Sequence, residues 1–418
     1  AVLLNREIMT SSKHSLASSQ LNPSNRLAAR WSVLLVLAAS LTNCAGFDTG
    51  KLNPSNWFGD DEVNPPTELI RIDAEVSLRR EWDASVGNGQ GKIFNLITPV
   101  LDGARLFAAS ADGTVAAYSA NDGALLWRER LDETITGGVG AGFGLVLVGT
   151  EAAEVVALDQ ETGALLWAMP VSSEVLSAPK TNGDVVVVQT VDEKLVALEA
   201  SNGEQRWTYE TTLPALTLRG TSSPVFASGG KVLAGFSNGT LVAVEANDGV
   251  WSWEERVAVP EGQYDIDRVI DIDGQLLVDG SRVLASSYQG NLMALDVNTG
   301  RIVWGREASS YHGIERGFGN LYYVDDEGII TAVRDNSDDV VWENSDLKFR
   351  SVSAPRAVGN YIAVTDFEGY VHLLSQIDGR IVGRTRADGD GVRAAMISGG
   401  GLLYVYGNSG KLSAFRPN

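Results

Sequence analysis

Seven tryptophans recur along this chain, each closing the same short phrase, and the spacing between them fixes the fold class. Asp159-Gln160-Glu161-Thr162-Gly163-Ala164-Leu165-Leu166-Trp167 is one copy, and Asp296-Val297-Asn298-Thr299-Gly300-Arg301-Ile302-Val303-Trp304 repeats it almost unchanged. The positions are Trp82, Trp127, Trp167, Trp207, Trp253, Trp304 and Trp342, and an eighth slot falls at Gly383, where the aromatic ring is lost. Successive intervals of 45, 40, 40, 46, 51, 38 and 41 residues are the size of a four-stranded propeller blade. Within each unit the residues alternate in the manner of a half-buried strand, as in Lys194-Leu195-Val196-Ala197-Leu198-Glu199. Pairs such as Asn121-Asp122-Gly123 and Asn247-Asp248-Gly249 supply the positive φ that tight hairpins need. The tryptophans are expected to be structural, each packing between adjacent blades.

Counting the two halves of the phrase shows how such a ring closes. The strand before the turn occurs eight times, the last being Gly410-Lys411-Leu412-Ser413-Ala414-Phe415, which has no Trp strand after it. The first Trp strand, Leu78-Arg79-Arg80-Glu81-Trp82, has no partner strand before it. Pairing these two leaves an all-β, eight-bladed propeller of four-stranded antiparallel blades over residues 76–418, with no open edge to invite aggregation. The blade that carries Gly383 is expected to pack less well than its neighbours.

The N-terminal region reads differently. Arg26 and Arg30 precede the apolar run Val33-Leu34-Leu35-Val36-Leu37-Ala38-Ala39, the order of an export signal, and the run is shorter than the roughly 20 apolar residues that span a bilayer. Residues 1–43 are therefore expected to be a signal-peptide region. Leu41-Thr42-Asn43-Cys44 resembles the lipobox of bacterial lipoproteins, in which the cysteine carries the lipid, palmitate included, and becomes the first mature residue. Cys44 is the only cysteine and cannot form an internal disulfide. The lack of Asp at positions 45 and 46 points, by the same resemblance, to the outer membrane and its periplasmic face. The following stretch is rich in Asn, Pro, Gly and acid, so residues 44–75 are expected to be a flexible tether.

Composition narrows the chemistry. Thirty-three basic against 53 acidic residues give a net charge of −20, which argues against nucleic acid and against a generally anionic membrane surface as partners. His312 and His372 fall in different blades without metal-ligand spacing, and no Ser/His/Asp set is evident. The glycine-rich run 138–144 precedes a strand and not a helix, so it lacks the helix N-terminal amides of a phosphate loop. The acidic run Asp265 to Asp273 lacks the oxygen spacing and closing Glu of a calcium loop. No cofactor, no metal and no catalytic residue is expected.

The phrase Ala-x-Asp-x-x-Thr-Gly-x-x-x-Trp resembles the repeat of quinoprotein dehydrogenases that carry pyrroloquinoline quinone, but this chain has no cysteine pair and little length beyond the blades. With the lipobox, the opening segment Trp82 to Gly89, and the two blade-joining loops Leu216-Thr217-Leu218-Arg219-Gly220 and Asp267-Arg268-Val269-Ile270-Asp271-Ile272-Asp273, the chain resembles the BamB family of the outer-membrane β-barrel assembly machinery over residues 44–418. That resemblance implies a non-enzymatic lipoprotein scaffold that binds the POTRA domains of BamA, joins the rest of the assembly complex, and assists the folding and insertion of β-barrel proteins, with unfolded clients as further partners. The two longest intervals are adjacent, and their extra length lies in these loops. Leu216, Leu218 and Arg219 on one loop, with Asp271 and Asp273 on the next, are expected to form one exposed partner-binding patch. The alternatives are a quinone-dependent dehydrogenase-like propeller and a periplasmic propeller for another ligand, such as a glycan.

Overall fold

The Asp-x-x-Thr-Gly phrase builds a hairpin turn through its own side chains. The Asp159 carboxylate accepts hydrogen bonds from the Thr162 amide and hydroxyl, both at 2.8 Å, and Asp296 holds Thr299 in the same way at 2.9 and 2.8 Å. The Thr162 hydroxyl and amide hold the Asp159 carboxyl below the usual carboxylate range. The glycine that follows takes the left-handed conformation, φ +78° at Gly163 and +70° at Gly300, so the chain reverses into the Trp strand. The computed structural model describes residues 64–92, 95–212, 214, 216, 221–260, 263 and 269–418. The expected signal region, Cys44 and most of the expected tether lie outside the described residues.

Eight four-stranded antiparallel sheets follow one another, each beginning on an inner strand and ending on the Trp strand. Blades 1 to 7 cover residues 100–130, 135–170, 180–210, 225–256, 277–307, 315–344 and 356–386. Blade 8 is composite. Its first three strands lie within 397–417 and its fourth is Leu78–Ser85, paired with Lys411–Pro417 in the register Trp82 to Ala414 and Ala84 to Leu412. The expected closure is thus observed. The glycine-rich run leads directly into the strand Leu145–Thr150, as expected. It falls largely within the inner strand of blade 2, Ile135–Gly142. A Cβ at Gly140 would stand 2.0 Å from the Pro179 carbonyl, so the missing side chains let two blade backbones approach.

The core is divided into eight clusters, one at each seam between neighbouring blades. The tryptophans lock these seams. Each of six indoles lies on the turn glycine of the next blade and donates its Nε1–H to a carbonyl there: Trp82 to Ala120, Trp127 to Gln160, Trp167 to Ala200, Trp207 to Ala246, Trp253 to Val297 and Trp342 to Gln376, at 2.8–3.1 Å. Burying an indole with its one donor satisfied is the favourable use of a large amphipathic ring.

Trp304 departs from this rule. Asp338 stands where the next turn would need glycine, the indole is only half-buried, and its N–H has no hydrogen-bond partner. The equivalent carbonyl, Asp335 O, accepts instead from Arg282 Nη1 at 2.8 Å. Arg282 and Arg316 together grip Asp279 and Asp335, so an ion quartet stitches blades 5 and 6 where the indole does not.

The expectation of poor packing at Gly383 is corrected. A Cβ there would lie 2.7 Å from the Val76 carbonyl, and buried Val76 fills the slot, with the amides of Glu75 and Val76 donating to Val382 O at 2.8 and 3.2 Å. Blade 8 closes by strand pairing and so offers no turn glycine for an indole to rest on. The chain leading into the closing strand occupies that space.

Residues 67–75, expected to belong to the flexible tether, are docked on the ring. The Thr67 amide donates to Lys348 O at 3.0 Å, Arg350 Nη1 donates to Thr67 O and Arg384 Nη1 to Ile70 O, both at 2.9 Å. Leu69 and Ile72 pack on the core between blades 6 and 7, and Glu75 pairs with Arg380. Buried His372 organises the arginines beneath this strap. Its Nδ1 accepts from Arg384 Nε at 3.0 Å, and its Nε2 lies 3.1 Å from the Asp366 carboxylate that Arg350 also holds.

Candidate functional site

Each loop that joins a Trp strand to the next inner strand lies on the same face of the ring, because every blade runs its four strands in the same sense. The longest such loop joins blade 4 to 5, residues 257–276, and its neighbour joining blade 3 to 4, residues 211–224, is matched in length only by the loop from the closing strand to blade 1, residues 86–99. The loops 211–224 and 257–276 are neighbours on that face, as the spacing of the tryptophans implies. Leu216 is 45% exposed there, an apolar side chain offered to solvent. Leu218 and Arg219 lie outside the described residues.

The expected pairing of Asp271 and Asp273 as exposed charges is corrected. Asp271 is completely buried, and Asp273 is partly buried in the wall of the axial channel. Burial pushes the Asp273 carboxyl well up from the ordinary range, and the negative charges of Asp271 and Glu193 push it the same way. Glu193 is itself buried, at φ +60°, and accepts from the Ser237 hydroxyl at 2.6 Å and the Ser237 amide at 3.1 Å. This acidic group lies under the long loops, where it supports their bases from inside. Polar, acidic sequence gave no sign of that burial.

An axial channel of about 340 Å³ is walled by inner strands and joining loops from around the ring. Lys180, Arg356 and Arg393 line it beside Asp273 and Glu315. Arg356 Nη1 pairs with Glu315 at 2.9 Å and its Nε donates to Met396 O at 2.9 Å. His312 is in the same wall, and burial lowers its pKa to about 4, which keeps it neutral near pH 7. The two histidines thus hold structural positions, and neither is paired with a nucleophile in the described structure. The blade tryptophans Trp82, Trp127, Trp167, Trp207, Trp253 and Trp342 are buried at the seams and do not line the channel.

A closed eight-bladed ring with two enlarged adjacent loops on one face defines a propeller of the platform class. The chain belongs to the BamB family: it matches the family described as outer membrane protein assembly factor BamB over residues 75–136 and 111–344. It is 51% identical over 382 residues to the outer membrane protein assembly factor BamB of Pseudomonas aeruginosa, covering 91% of this chain and 97% of that one. It is 34% identical over 367 residues to that of Shewanella oneidensis, covering 85% and 93%. The crystal structure of BamB from Moraxella catarrhalis superimposes with a TM-score of 0.74 at 29% identity, covering 81% of this chain and 99% of that one. A quinohemoprotein alcohol dehydrogenase from Comamonas testosteroni has a TM-score of 0.65 at 13% identity, a likeness of fold alone. The chain is accordingly an assembly factor for outer-membrane proteins and not an enzyme.

Proposed function

We propose that this propeller is anchored by lipid on Cys44 at the periplasmic face of the outer membrane and binds the POTRA domains of BamA through its loop face. The observation that carries the reading is the exposed Leu216 on the shorter of two adjacent enlarged loops, in a chain of this family. Leu216 and Leu218 supply the apolar anchors, and Arg219 supplies a guanidinium that takes a carboxylate in fork geometry. Asp273 and buried Asp271 act from beneath, fixing the loop bases and not touching the partner directly. Bound in this way, the ring assists the folding and insertion of β-barrel clients by holding the assembly complex together. Interfaces of this kind keep most of their energy in a few central side chains.

The test is capture of the POTRA segment of BamA by the mature chain, measured beside circular dichroism. Leu216→Asp and Arg219→Glu each weaken capture by on the order of 2 kcal/mol while the β signature is unchanged. Full capture by the double variant refutes the placement of the interface. Mass spectrometry of the mature N-terminus tests the anchor: Cys44 carries lipid, and Cys44→Ala gives a periplasmic protein with an intact ring. An unmodified Cys44 within an uncleaved chain refutes the anchor.

A further inference from the structure

The strap of residues 67–75 hangs on two arginines that are themselves held in different ways. Arg350 is gripped by carboxylates. Its Nε and Nη2 donate to Asp366 at 3.0 and 2.9 Å, Nη2 also pairs with Glu368, and Nη1 reaches Thr67 O. The acceptors of Arg384 are uncharged: Nε donates to His372 Nδ1 at 3.0 Å and Nη1 to Ile70 O at 2.9 Å, while its buried Nη2 has no acceptor. A guanidinium can only donate, so the His372 nitrogen that receives it carries a lone pair. The ring is therefore neutral, with its one proton on Nε2, 3.1 Å from the Asp366 carboxylate. His372 and Asp366 are both completely buried.

These contacts make the position of Arg384 depend on the charge of one ring. A proton added at Nδ1 sets two N–H groups against each other and two cations side by side, in a buried cluster that already holds Arg350. Burial pushes the His372 imidazole below its ordinary value; Asp366 favours the proton, and Arg384 and Arg350 oppose it. Tyr370 lies beside the ring at 6.3 Å between centroids, Asp346 acts on Arg384, and Glu368 is taken up by Arg350. The charged residues of the strap, Glu68, Arg71, Asp73 and Glu75, are exposed, so it meets the cluster through its carbonyls and through Leu69 and Ile72.

We infer that the strap is a pH-released latch: a proton on His372 displaces Arg384 from Ile70 O and loosens residues 67–75 from the ring. The docked ring binds that proton less readily than an imidazole returned to water. Docking is thus complete above about pH 6.5 and is lost as the pH falls through the lower, docked value. Losing a charged donor to one strap carbonyl shifts docking by roughly tenfold or more. Release adds residues 67–75 to the chain that leads back toward Cys44, about 30 Å when extended, and so changes how far the ring can stand from that end. The latch is independent of the loop-borne partner contact.

The experiment is hydrogen exchange of the full mature chain, read by mass spectrometry over the strap and corrected for the intrinsic pH dependence of amide exchange. The amides of Thr67 and Glu75, which donate to Lys348 O and Val382 O, report docking, and the strand Leu145–Thr150 serves as reference. Strap protection in the wild type falls by roughly tenfold or more between about pH 7.5 and about pH 5, while the reference strand is steady. His372→Gln, which keeps a donor and an acceptor but takes no proton, holds its protection across that range. Arg384→Met is loose at both ends of it. Glu75→Gln keeps the wild-type pH dependence, because Arg380 holds the Glu75 carboxyl below the ordinary carboxylate range and leaves it ionised in this window. Wild-type protection that does not change with pH, or a His372→Gln profile parallel to the wild type, overturns the latch. If His372→Gln does not fold, Arg384→Met decides the question: a wild-type pH dependence in a chain with no Arg384 to displace refutes it.

Discussion

Replacing Trp253 and, separately, Trp304 by phenylalanine makes one chemical change in two copies of one repeat, and the outcomes are expected to differ. At Trp253 the indole is buried on Gly300 and donates to Val297 O at 2.8 Å. Phenylalanine leaves that carbonyl unpaired at a cost of about 1–3 kcal/mol. The smaller ring forfeits a further ~1 kcal/mol of apolar burial and packing. Trp304 is half-buried and its N–H has no partner, so the same change removes an orphan donor and costs about 1 kcal/mol or less. For a ring of this size the unfolding entropy is roughly 0.7 kcal/mol/K, so the melting temperature falls by about 3–6 °C at Trp253 and by about 1 °C at Trp304. Scanning calorimetry of both variants, with Trp127→Phe as a second locked copy, makes the comparison. Equal shifts at Trp253 and Trp304 would refute the view that the turn glycine of the next blade decides whether an indole locks its seam.

Further outcomes follow from single contacts. Gly163→Ala places a Cβ 2.6 Å from the Trp127 ring at φ +78°, whereas Gly103→Ala has the same backbone constraint at φ +60° with nothing within 4 Å; the first lowers the melting temperature well beyond the ~1 kcal/mol equivalent of the second, and equal losses would remove the ring contact from the account. His312 stays neutral in the fold down to about pH 4, while in the unfolded chain it protonates near pH 6.5, so its contribution is complete above pH 6.5 and is lost as pH falls toward 4. Burial of Glu315 and Asp273 acts in the opposite sense, so the measurement is the difference between wild type and His312→Gln, whose stability is expected to fall less steeply by up to ~3 kcal/mol across that window; parallel pH profiles refute it. A chain ended at residue 410 loses the strand that pairs with Leu78–Ser85, and hydrogen exchange is expected to show blades 7, 8 and 1 opening first, whereas protection equal to wild type would show that the ring does not depend on this closure.

The parts of this fold that sequence made legible are those carried by one repeat. The Asp-x-x-Thr-Gly turn is made by side chains within four residues of each other, and the alternating strands beside it follow from the period alone. The indole lock is a relation between repeats, the Trp of one copy and the Gly of the next. Read in that pairing, Asp338 in place of glycine already marks Trp304 as the indole without a seat. The quartet that replaces it joins residues up to 56 positions apart, Asp279 to Asp335, and no local pattern announces it. Within the candidate site, exposed Leu216 was legible from loop length. The burial of Asp271 was not, because acidic runs are ordinarily solvated and only the tertiary packing encloses this one.

Residues 64–75 show most directly why composition misled. Proline, asparagine and acid describe a chain that cannot form its own core, and that remains true of the strap: it makes no core of its own but borrows one. Leu69 and Ile72 fill the edge of the cluster between blades 6 and 7, and Arg350, Arg380 and Arg384 supply the hydrogen bonds and charge that its carbonyls and Glu75 need. The partners are about 300 residues away in sequence. Val76 then completes the arrangement by occupying the slot at Gly383. One deletion in the repeat pattern, the missing eighth indole, and one addition, a docked leader into the closing strand, are therefore the same structural event. A propeller that closes by joining its two ends has one seam without a hairpin turn, and the residues just before the closing strand are the ones positioned to seal it.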